Sequence, residues 1–339
     1  MSEFSVDIIQ IRDNSFNIGL KYGKRLKNDT LLNVFDSITR ADIDYMNLKS
    51  IFSELAPHLL DEIEGLASGL EINSKKSAAL FSGYDVPKTE AMGCSAFITK
   101  DYYVRNYDFS PALYDGMFSL IQSNEAFATA GYNLQVLGRH DGINQRGLVA
   151  GLHFVSNNDY SKGMSPWTSI RIILDSCSTV DEAIEILKII PHSACYNFSL
   201  GDTNGKIAIV EASPDNVVVR NGEMSLSCVN HFQDKTLINR NRVSIESSVK
   251  RDEHLRDMSS KQMTHLDMFT HFKDKKSPLF FTDYENLFGT LHTLSYSFLD
   301  SRIVTTIAQS NQILDFYFED WVRGENISNQ VLIGKIKTE

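Results

Sequence analysis

Cys94 follows Gly93 at the point where a polar, helix-like region gives way to short strand-like segments. If the bond between these two residues is cut, Cys94 becomes a new N-terminus. Its thiol and its α-amino group then sit on one residue, which places a nucleophile and a base side by side. Such a cut would make residues 1–93 a propeptide or small subunit and residues 94–339 the catalytic domain.

Arg105 and Asp108 follow Cys94 across a predicted β-hairpin. Residues 95–99 and 102–107 are short runs rich in aromatic and β-branched side chains, which is typical of two paired strands. On adjacent antiparallel strands both charged residues would lie beside Cys94. Arg105 would then hold a thiolate or a carboxylate, and Asp108 would accept hydrogen bonds from a free α-amine. The alternative interpretation is an edge-strand arginine and a turn aspartate without chemistry.

Two later strand ends carry further polar candidates. Residues 141–148 indicate a turn, and residues 147–154 indicate a buried strand that includes His153 near its end. A second strand, at residues 226–229, is followed by Asn230. Asn230 would either donate a hydrogen bond to an oxyanion or cap the strand, and His153 would be either catalytic or structural.

Along the rest of the chain, groups of predicted helices alternate with groups of predicted strands. Residues 1–90 are predicted to be mostly helical, with a helix that begins near Pro57 and ends near Gly65, Gly69 and Asn73. Helices are also predicted at 166–177, at 180–190 with Thr179 as N-cap, and within 238–288. Further strands are predicted at 118–121, 134–137, 196–200, 206–211, 217–219, 290–298, 303–308 and 313–318. This order favours an α+β fold over strict βαβ alternation.

Composition excludes several classes of protein. The 339 residues carry a net charge of −10, which argues against a nucleic-acid-binding protein. No apolar run reaches the ~18 residues of a membrane helix, and the first residues do not resemble a secretory signal. Together with thiols that are expected to be reduced, this predicts a cytoplasmic protein that does not bind a membrane.

The cysteines do not form a metal or redox motif. None of them belongs to a C-x-x-C pair, and four in so long a chain do not make a disulfide scaffold; they are Cys94, Cys177, Cys195 and Cys228. The last three are expected to be small core residues. A phosphate loop and a dinucleotide motif are also missing from the sequence, so we expect neither a metal nor a bound cofactor.

A series of motifs in one order resembles a known family. They are Gly93-Cys94-Ser95-Ala96, Arg105-Asn106-Tyr107-Asp108, Gly142-Ile143-Asn144-Gln145-Arg146-Gly147-Leu148, Gly201-Asp202 with Glu211-Ala212-Ser213-Pro214, Val229-Asn230-His231-Phe232 and Gly289-Thr290-Leu291-His292. The series is similar to the acyl-CoA:6-aminopenicillanic acid acyltransferase family, which belongs to the N-terminal-nucleophile hydrolases and is related to choloylglycine hydrolase and penicillin V acylase. The resemblance implies a four-layer αββα sandwich with a helical, propeptide-like N-terminal region.

The resemblance also implies a role for each matching residue. Self-cleavage between Gly93 and Cys94 would expose Cys94 as the nucleophile. Asp108 would bind the α-amine, Arg105 would tune the thiol, and Asn230 would help to form the oxyanion hole.

Three further positions of the site follow from the same resemblance. Arg251 is the best match to an arginine that completes the site, with Arg240 and Arg242 as rivals. His153 and Asn144 would line the oxyanion hole or substrate pocket. His153 departs from relatives of the choloylglycine hydrolase type, which tend to carry Asn or Tyr there, so protonation of this histidine would matter.

The sequence leaves three functions open. The first is an amidohydrolase or acyltransferase that acts on a small amide or an acyl thioester through an acyl-Cys94 intermediate. The second is a non-catalytic or unprocessed homologue that binds a ligand. The third is a Cys-His hydrolase that needs no cleavage and uses His153 or His231 as its base. Whether the chain forms a homo-oligomer is also open.

Overall fold

The structure, a computed structural model, describes residues 2–88, 93–285 and 288–336. Its helices are α1 (Ser15–Leu26), α2 (Leu31–Ile38), α3 (Tyr45–Leu55), α4 (His58–Leu70), α5 (Ser74–Phe81), α6 (Pro166–Ser176), α7 (Val180–Ile189), α8 (Glu246–Ser259), α9 (His265–Lys273) and α10 (Phe318–Val322). Its strands are β1 (Ser2–Arg12), β2 (Gly93–Thr99), β3 (Tyr102–Phe109), β4 (Met117–Gln122), β5 (Thr129–Leu134), β6 (Gly138–Asn144), β7 (Val149–Ser156), β8 (Cys195–Gly201), β9 (Ile207–Ala212), β10 (Val217–Gly222), β11 (Ser225–Cys228), β12 (Thr282–Asp283), β13 (Phe288–Ser297), β14 (Arg302–Ile307), β15 (Leu314–Tyr317) and β16 (Val331–Ile336).

Two sheets face each other between helical layers. The larger sheet has nine strands in the order β10-β9-β8-β7-β6-β5-β4-β1-β16. The smaller sheet follows the order β11-β2-β3-β13-β14-β15, with β12 paired to β13. Helices α6 and α7 pack on the larger sheet, and α8 and α9 pack on the smaller one. The predicted αββα sandwich is therefore confirmed.

The inner strands are buried along their whole length because both faces of each sheet are covered. A separate apolar cluster lies between the smaller sheet and the helices α8 and α9, and it includes Phe97, Val104, Leu255 and Phe272. It fixes the outer helical layer against the strands that carry the candidate site. Among the described residues, no helix is long and apolar enough to cross a membrane.

The N-terminal region contains a strand that the sequence prediction missed. Residues 2–12 were expected to be helical but form β1, which lies parallel to β4 and antiparallel to β16. Phe4, Val6 and Ile8 are buried at a spacing of two residues, which is the strand period. The first segment of the chain is thus an internal strand of the larger sheet.

Helices α1 and α4 pack so closely that their backbones are in contact. A Cβ atom at Gly19 would lie 1.9 Å from the carbonyl oxygen of Glu62, and one at Gly65 would lie 2.0 Å from that of Phe16. Gly65, expected at the end of a helix, is therefore an interior residue of α4, while Gly69 lies in its last turn as expected. Their lack of a side chain permits this close contact.

Tertiary contacts change two local predictions, one of a strand and one of a turn. Residues 135–137 were expected to be part of a strand but form a turn, because the carboxylate of Asp115 accepts hydrogen bonds from the amides of Gln135 (3.1 Å) and Val136 (2.6 Å). The turn expected within residues 141–148 lies at residues 145–146, because residues 141–144 still belong to β6. The predicted hairpin β2–β3, the helices α6 and α7, and the N-cap at Thr179 are confirmed.

Candidate active site around Cys94

The register of β2 and β3 places Arg105 and Asp108 on different sides of Cys94. Gly93 pairs with Asp108, and Ala96 pairs with Arg105. Because side chains alternate along a strand, Arg105 and the Cys94 thiol share the face toward the larger sheet. Asp108 shares the opposite face with the outer helical layer and lies beside the Gly93–Cys94 bond. Residues 91–92 of the cysteine motif lie outside the described residues.

Arg105 connects the Cys94 thiol to the larger sheet. Its Nη2 lies 3.2 Å from Cys94 Sγ and also donates to the carbonyl of Leu152, while Nη1 forms an ion pair with Asp141. A Cβ atom at Gly151 would lie 2.9 Å from Arg105 Cδ, so the glycine leaves room for the arginine side chain. The guanidinium is therefore held in one position against the sulfur.

The Cys94 thiol is fully buried in the continuous chain. Burial raises the pKa of Cys94 to about 11, although the nearby Arg105 cation opposes this effect. The attraction to Arg105 expected from the sequence is present, but desolvation of the thiolate outweighs it. In the uncut chain, Cys94 is therefore a neutral thiol.

Asn230 binds the backbone amide of Cys94. Its Oδ1 accepts hydrogen bonds from Cys94 N at 2.8 Å and from Arg251 Nη2 at 2.9 Å. These two donors fix the orientation of the side-chain amide, because only oxygen can accept them. Its Nδ2 donates to the carbonyl of Phe154 at 2.8 Å. Asn230 thus contacts Cys94 as an acceptor, whereas the expected oxyanion role would need it as a donor.

Arg251 is the late arginine that contacts Cys94. Helix α8 presents its guanidinium to the carbonyl of Cys94 and to Ser95 Oγ, the latter at 2.8 Å. Of the two rivals, Arg240 forms an ion pair with Asp215, and the Arg242 guanidinium lies over the ring of Phe154.

Asp108 has one satisfied and one unsatisfied carboxylate oxygen. Oδ1 accepts a hydrogen bond from Thr290 Oγ1 at 2.7 Å, while Oδ2 is buried without a partner among the described residues. Burial raises the pKa of Asp108 to about 6, and the Arg251 cation opposes that shift. A free acceptor oxygen therefore lies on the strand residue paired with Gly93.

The two pocket candidates differ in position. The carbonyls on either side of His153 accept hydrogen bonds from Arg105 and Asn230, so His153 lies between two site residues. Its Nε2 lies 2.9 Å from Ser199 Oγ. Asn144 instead donates to the carbonyls of residues 174 and 177 and accepts from the amides of residues 146 and 148. The structure therefore does not bring Asn144 into contact with Cys94.

Neither histidine considered as a base contacts the thiol. His153 is bound to Ser199, and His231 Nδ1 lies 2.8 Å from Ser248 Oγ. Burial lowers the pKa of both histidines. The described contacts of Cys94 Sγ thus give no support to a Cys-His pair.

The sequence did not predict a chain of polar contacts, called the relay below, that runs from Arg105 through Asp141 and His292. Asp141 binds Arg105 and also lies 2.8 Å from His292 Nε2, and His292 Nδ1 lies 2.7 Å from the hydroxyl of Tyr114. Burial works against ionisation of Asp141, but His292 and Arg105 hold its pKa below the usual range. Asp141 adjoins one quoted motif and His292 ends another, but the pairing across the two sheets has no signal in local sequence.

Several buried polar atoms beside this relay lack partners among the described residues. They are Arg105 Nε, Tyr107 Oη, Asp141 Oδ1 and both ring nitrogens of His140. The ring centroids of Tyr107 and His140 are 3.9 Å apart, and Arg105, which binds Asp141, lies 5.3 Å from the Tyr107 ring, so the four residues are neighbours. Buried polar groups of this kind usually bind ordered water. In the described part of the chain, no cluster of three or more His, Cys, Asp or Glu could hold a metal ion.

A family model matches the part of the chain that begins near the end of β2. A model of the acyl-coenzyme A:6-aminopenicillanic acid acyl-transferase family matches residues 98–312, more than half of the chain. The chain belongs to this family. The matched region begins after Cys94 and includes Arg105, Asp108, Asn230 and Arg251.

Solved structures of related fold are distant in sequence. A mutant form of conjugated bile acid hydrolase from Clostridium perfringens has a TM-score of 0.46 and 15% identity, covering 72% of this chain and 97% of that one. Penicillin V acylase from Agrobacterium tumefaciens has a TM-score of 0.45 and 18% identity, with coverages of 66% and 86%. The N-acylethanolamine-hydrolyzing acid amidase ortholog of Caenorhabditis elegans has a TM-score of 0.43 and 11% identity, with coverages of 60% and 93%. No curated protein gives a significant match.

Proposed function

We propose that this chain cuts its own Gly93–Cys94 bond and then works as a cysteine N-terminal-nucleophile amidohydrolase or acyltransferase. The observation that carries the proposal is the set of contacts on Cys94. Its sulfur contacts Arg105 at 3.2 Å and its amide contacts Asn230 at 2.8 Å. Asp108, with one free oxygen, is the strand partner of Gly93. These groups converge on one thiol and on the peptide bond that precedes it.

In the self-cleavage step, Cys94 Sγ attacks the carbonyl carbon of Gly93. The C–N bond breaks, a thioester forms between Gly93 and the sulfur, and the thiol proton goes to the departing nitrogen. Water then hydrolyses the thioester and leaves a Gly93 carboxylate and a free Cys94 amine. Asp108, whose pKa near 6 leaves it mostly ionised at neutral pH, is suited to bind the new ammonium group.

Cleavage would change the electrostatics of the nucleophile. A new ammonium on Cys94 adds a positive charge next to the sulfur, which favours the thiolate over the buried thiol of the uncut chain. An α-amine and a thiol have ordinary pKa values of about 8 and about 8.5, so a proton passes between them at low cost.

In turnover, the thiolate attacks the carbonyl of an amide or thioester and forms an acyl-Cys94 thioester. The α-amine delivers a proton to the leaving group. Asn230 Nδ2 carries a second hydrogen beyond the one donated to Phe154, and we assign it to the oxyanion together with His153. Water as acceptor gives hydrolysis, and an amine gives acyl transfer.

Residues 1–93 then act as a small subunit that stays bound to residues 94–339. Strand β1 supports this assignment because it is flanked on both sides within the larger sheet. The buried ion pair between Glu62 of α4 and Arg171 of α6, at 2.7 Å, also joins the two parts. Release would leave both an unpaired strand edge and an unpaired buried charge.

Mass spectrometry of the purified protein tests the proposal. We expect two fragments that separate before Cys94 in the wild type, one intact chain in Cys94→Ala, and two fragments in the control Cys177→Ala. An iodoacetamide probe should label Cys94 in the cut protein. A single uncut chain that still turns over amides through another residue would refute self-processing, and an uncut chain without turnover would favour a ligand-binding homologue.

A further inference from the structure

A β-bulge on β13 brings His292 into the space between the two sheets. Thr290 pairs with Asp108 and His292 pairs with Tyr107, so Leu291 is one extra residue on β13. In a regular strand, residues 290 and 292 would point to the same face. The bulge instead lets Thr290 bind Asp108 on the outer face of the smaller sheet, while His292 points toward the larger sheet.

The larger sheet has a matching β-bulge on β6. Neighbouring residues of β5 pair with Asp141 and with Arg139, so His140 is one extra residue. Arg139 faces the helical layer, where its guanidinium interacts with the buried charges of α4 and α6. Asp141 faces the smaller sheet and binds Arg105 and His292 there. The contact between Asp141 and His292 thus depends on a bulge in each sheet, a device that commonly redirects side chains beside active sites.

The contacts of His292 fix its protonation state. Burial works against ionisation of Asp141, but its two partners hold its pKa below the usual range, so the carboxylate can only accept. His292 Nε2, which lies 2.8 Å from Asp141 Oδ2, is therefore a donor. Nδ1 then accepts from the hydroxyl of Tyr114 at 2.7 Å. Burial lowers the pKa of His292, although Asp141 opposes this effect, and the ring is neutral in its Nε2–H form.

Stacked rings hold the His292 side chain in place. Its ring centroid lies 3.7 Å from that of Tyr132 with 9° between the planes, and 5.3 Å from that of Tyr107 with 14° between them. His292 is fully buried, and rotation of its ring would break both stacks. Tyr107 is also the strand partner of Cys94. The orientation of His292 is therefore fixed one strand away from the nucleophile.

One oxygen of Asp141 serves two donors. Oδ2 accepts from Arg105 Nη1 and from His292 Nε2, so its negative charge is shared between them. Arg105 is therefore less fully neutralised than in an exclusive ion pair, and its Nη2 lies 3.2 Å from Cys94 Sγ. After burial itself, repulsion by carboxylates such as Asp141 raises the pKa of Cys94, and a donor on that carboxylate reduces the repulsion.

We propose that His292 is a positioning residue for Cys94: as the neutral Nε2–H tautomer it shares the Asp141 carboxylate with Arg105, and so leaves more of the arginine's positive charge to stabilise the thiolate. Tyr114 supports this role, because an imidazole that accepts a hydrogen bond at one nitrogen is a stronger donor at the other. The inference deepens the proposed function and rests on it, since it takes Cys94 as the nucleophile.

The pH dependence of Cys94 alkylation by iodoacetamide, a neutral reagent, tests this role. His292→Leu removes the donor, so the apparent pKa of Cys94 should rise by about 0.5–1 unit and the rate at neutral pH should fall about 3- to 10-fold. His292→Gln places an amide N–H close to the position of Nε2 and should restore most of the wild-type profile. The control His192→Leu removes another buried histidine, which contacts the carbonyl of Leu187, and should leave the profile unchanged.

Three outcomes of the alkylation experiment would overturn the proposal. A rate that falls equally at every pH in His292→Leu would show a structural role alone. An equal shift of the profile in His192→Leu would show that the loss of any buried histidine has this effect. Failure of His292→Gln to restore the profile would show that the donated hydrogen bond is not what matters.

Nitrogen NMR of the protein with isotope-labelled histidines tests the tautomer independently of cleavage and turnover. In a Cys94→Ala background, the His292 signals are assigned by their loss in His292→Gln. They should show a protonated Nε2 and an unprotonated Nδ1 at neutral pH, and Tyr114→Phe should shift the Nδ1 signal. A cationic ring, or a ring protonated only at Nδ1, would overturn the proposal.

The two experiments together separate this inference from the proposed function. A Cys94 that is inert to iodoacetamide at every pH would refute the proposed function, and the role of His292 with it, even if the tautomer is as expected. A reactive Cys94 whose pH profile does not respond to His292→Leu would leave the nucleophile in place and refute only the role of His292.

Discussion

Two buried groups of charges lie on opposite sides of the larger sheet, and they differ in how completely they are paired. One lies between the sheet and the helices. There Arg171 binds Glu62 Oε2 at 2.7 Å and Asp175 Oδ2 at 2.6 Å, and His58 Nε2 binds the same Asp175 oxygen at 2.7 Å. None of these four side chains contributes a buried polar atom without a partner in the described structure.

The other group surrounds Cys94, with Asp108 on the outer face of the smaller sheet and the other members between the two sheets, and it is incompletely paired. Arg105, Asp108, Asp141 and His153 each keep one buried nitrogen or oxygen without a partner among the described residues. Unpaired buried groups cost free energy, so a fold retains them where reacting groups need them. The four residues of the first group thus bind one another, whereas the residues around Cys94 keep buried donors and acceptors that are available to a further group.

The largest expected effect is a loss of stability on removal of Arg171, which pairs with Glu62 and Asp175. Arg171→Met would leave Glu62 and Asp175 buried without their cation, so the free energy of unfolding should fall by about 3–5 kcal/mol. Urea denaturation measures this change. Lys188→Met, which removes an exposed pair with Glu185, is the control and should cost less than about 1 kcal/mol. If both variants lost the same small amount, the paired group would not have the structural role assigned to it.

The next largest effect is an increase in the free energy of unfolding, and it concerns Asp108 in the group around Cys94. The pKa of Asp108 is raised to about 6 in the folded chain, so its ionised form destabilises the fold and this cost grows as pH rises from about 4 through 6. In a Cys94→Ala background, Asp108→Asn should therefore increase the free energy of unfolding at pH 7–8 by about 2–3 kcal/mol. The gain should vanish near pH 4.

The same substitution separates stability from activity. With Cys94 present, Asp108→Asn should slow self-cleavage and turnover at least ~100-fold, since the α-amine loses its anionic partner. Pulse-chase mass spectrometry follows cleavage. A variant that was less stable at neutral pH and still cleaved at the wild-type rate would contradict both the direction of the pKa shift and the role of Asp108.

The smallest effect concerns a single hydrogen bond. Thr290 Oγ1 donates to Asp108 Oδ1 and thereby favours the charged carboxylate. Thr290→Ala should raise the pKa of Asp108 by roughly 0.5–1 unit, while Thr290→Ser keeps the hydroxyl and should leave it unchanged. The midpoint of the pH-dependent stability change reports this pKa. A downward shift in Thr290→Ala would mean that the hydroxyl favours the neutral acid instead.

The sequence predicted the part of the site that depends on adjacent strands. The aromatic and β-branched residues of 95–99 and 102–107 were sufficient to predict the hairpin, and the hairpin places Arg105 and Asp108 on either side of Cys94. Asn230 and Arg251 could be matched only by resemblance, because more than a hundred residues separate them from Cys94. Their contacts with Cys94 depend on β11 and α8 packing against β2.

The cross-sheet contacts could not be predicted in the same way. Asp141 was expected in a turn, but it pairs with β5 and β7 and contacts Arg105 and His292 of the other sheet. The orientation of the Asn230 amide depends on two donors from different elements. Strand β1 was missed because its pairing partners lie far away in the chain, although its alternation of buried residues is visible in the sequence.

The pairing of β1 with β16 has a kinetic consequence for the proposed cleavage. Residues 3–7 pair with residues 331–335, so this contact joins the two ends of the chain. Before the cut, the chain itself supplies the effective concentration of one end near the other. After the cut, β1 belongs to a separate polypeptide, and recovery from complete unfolding becomes second-order and dependent on protein concentration. The mature protein would then owe its persistence to slow unfolding, because dilution opposes its reassembly.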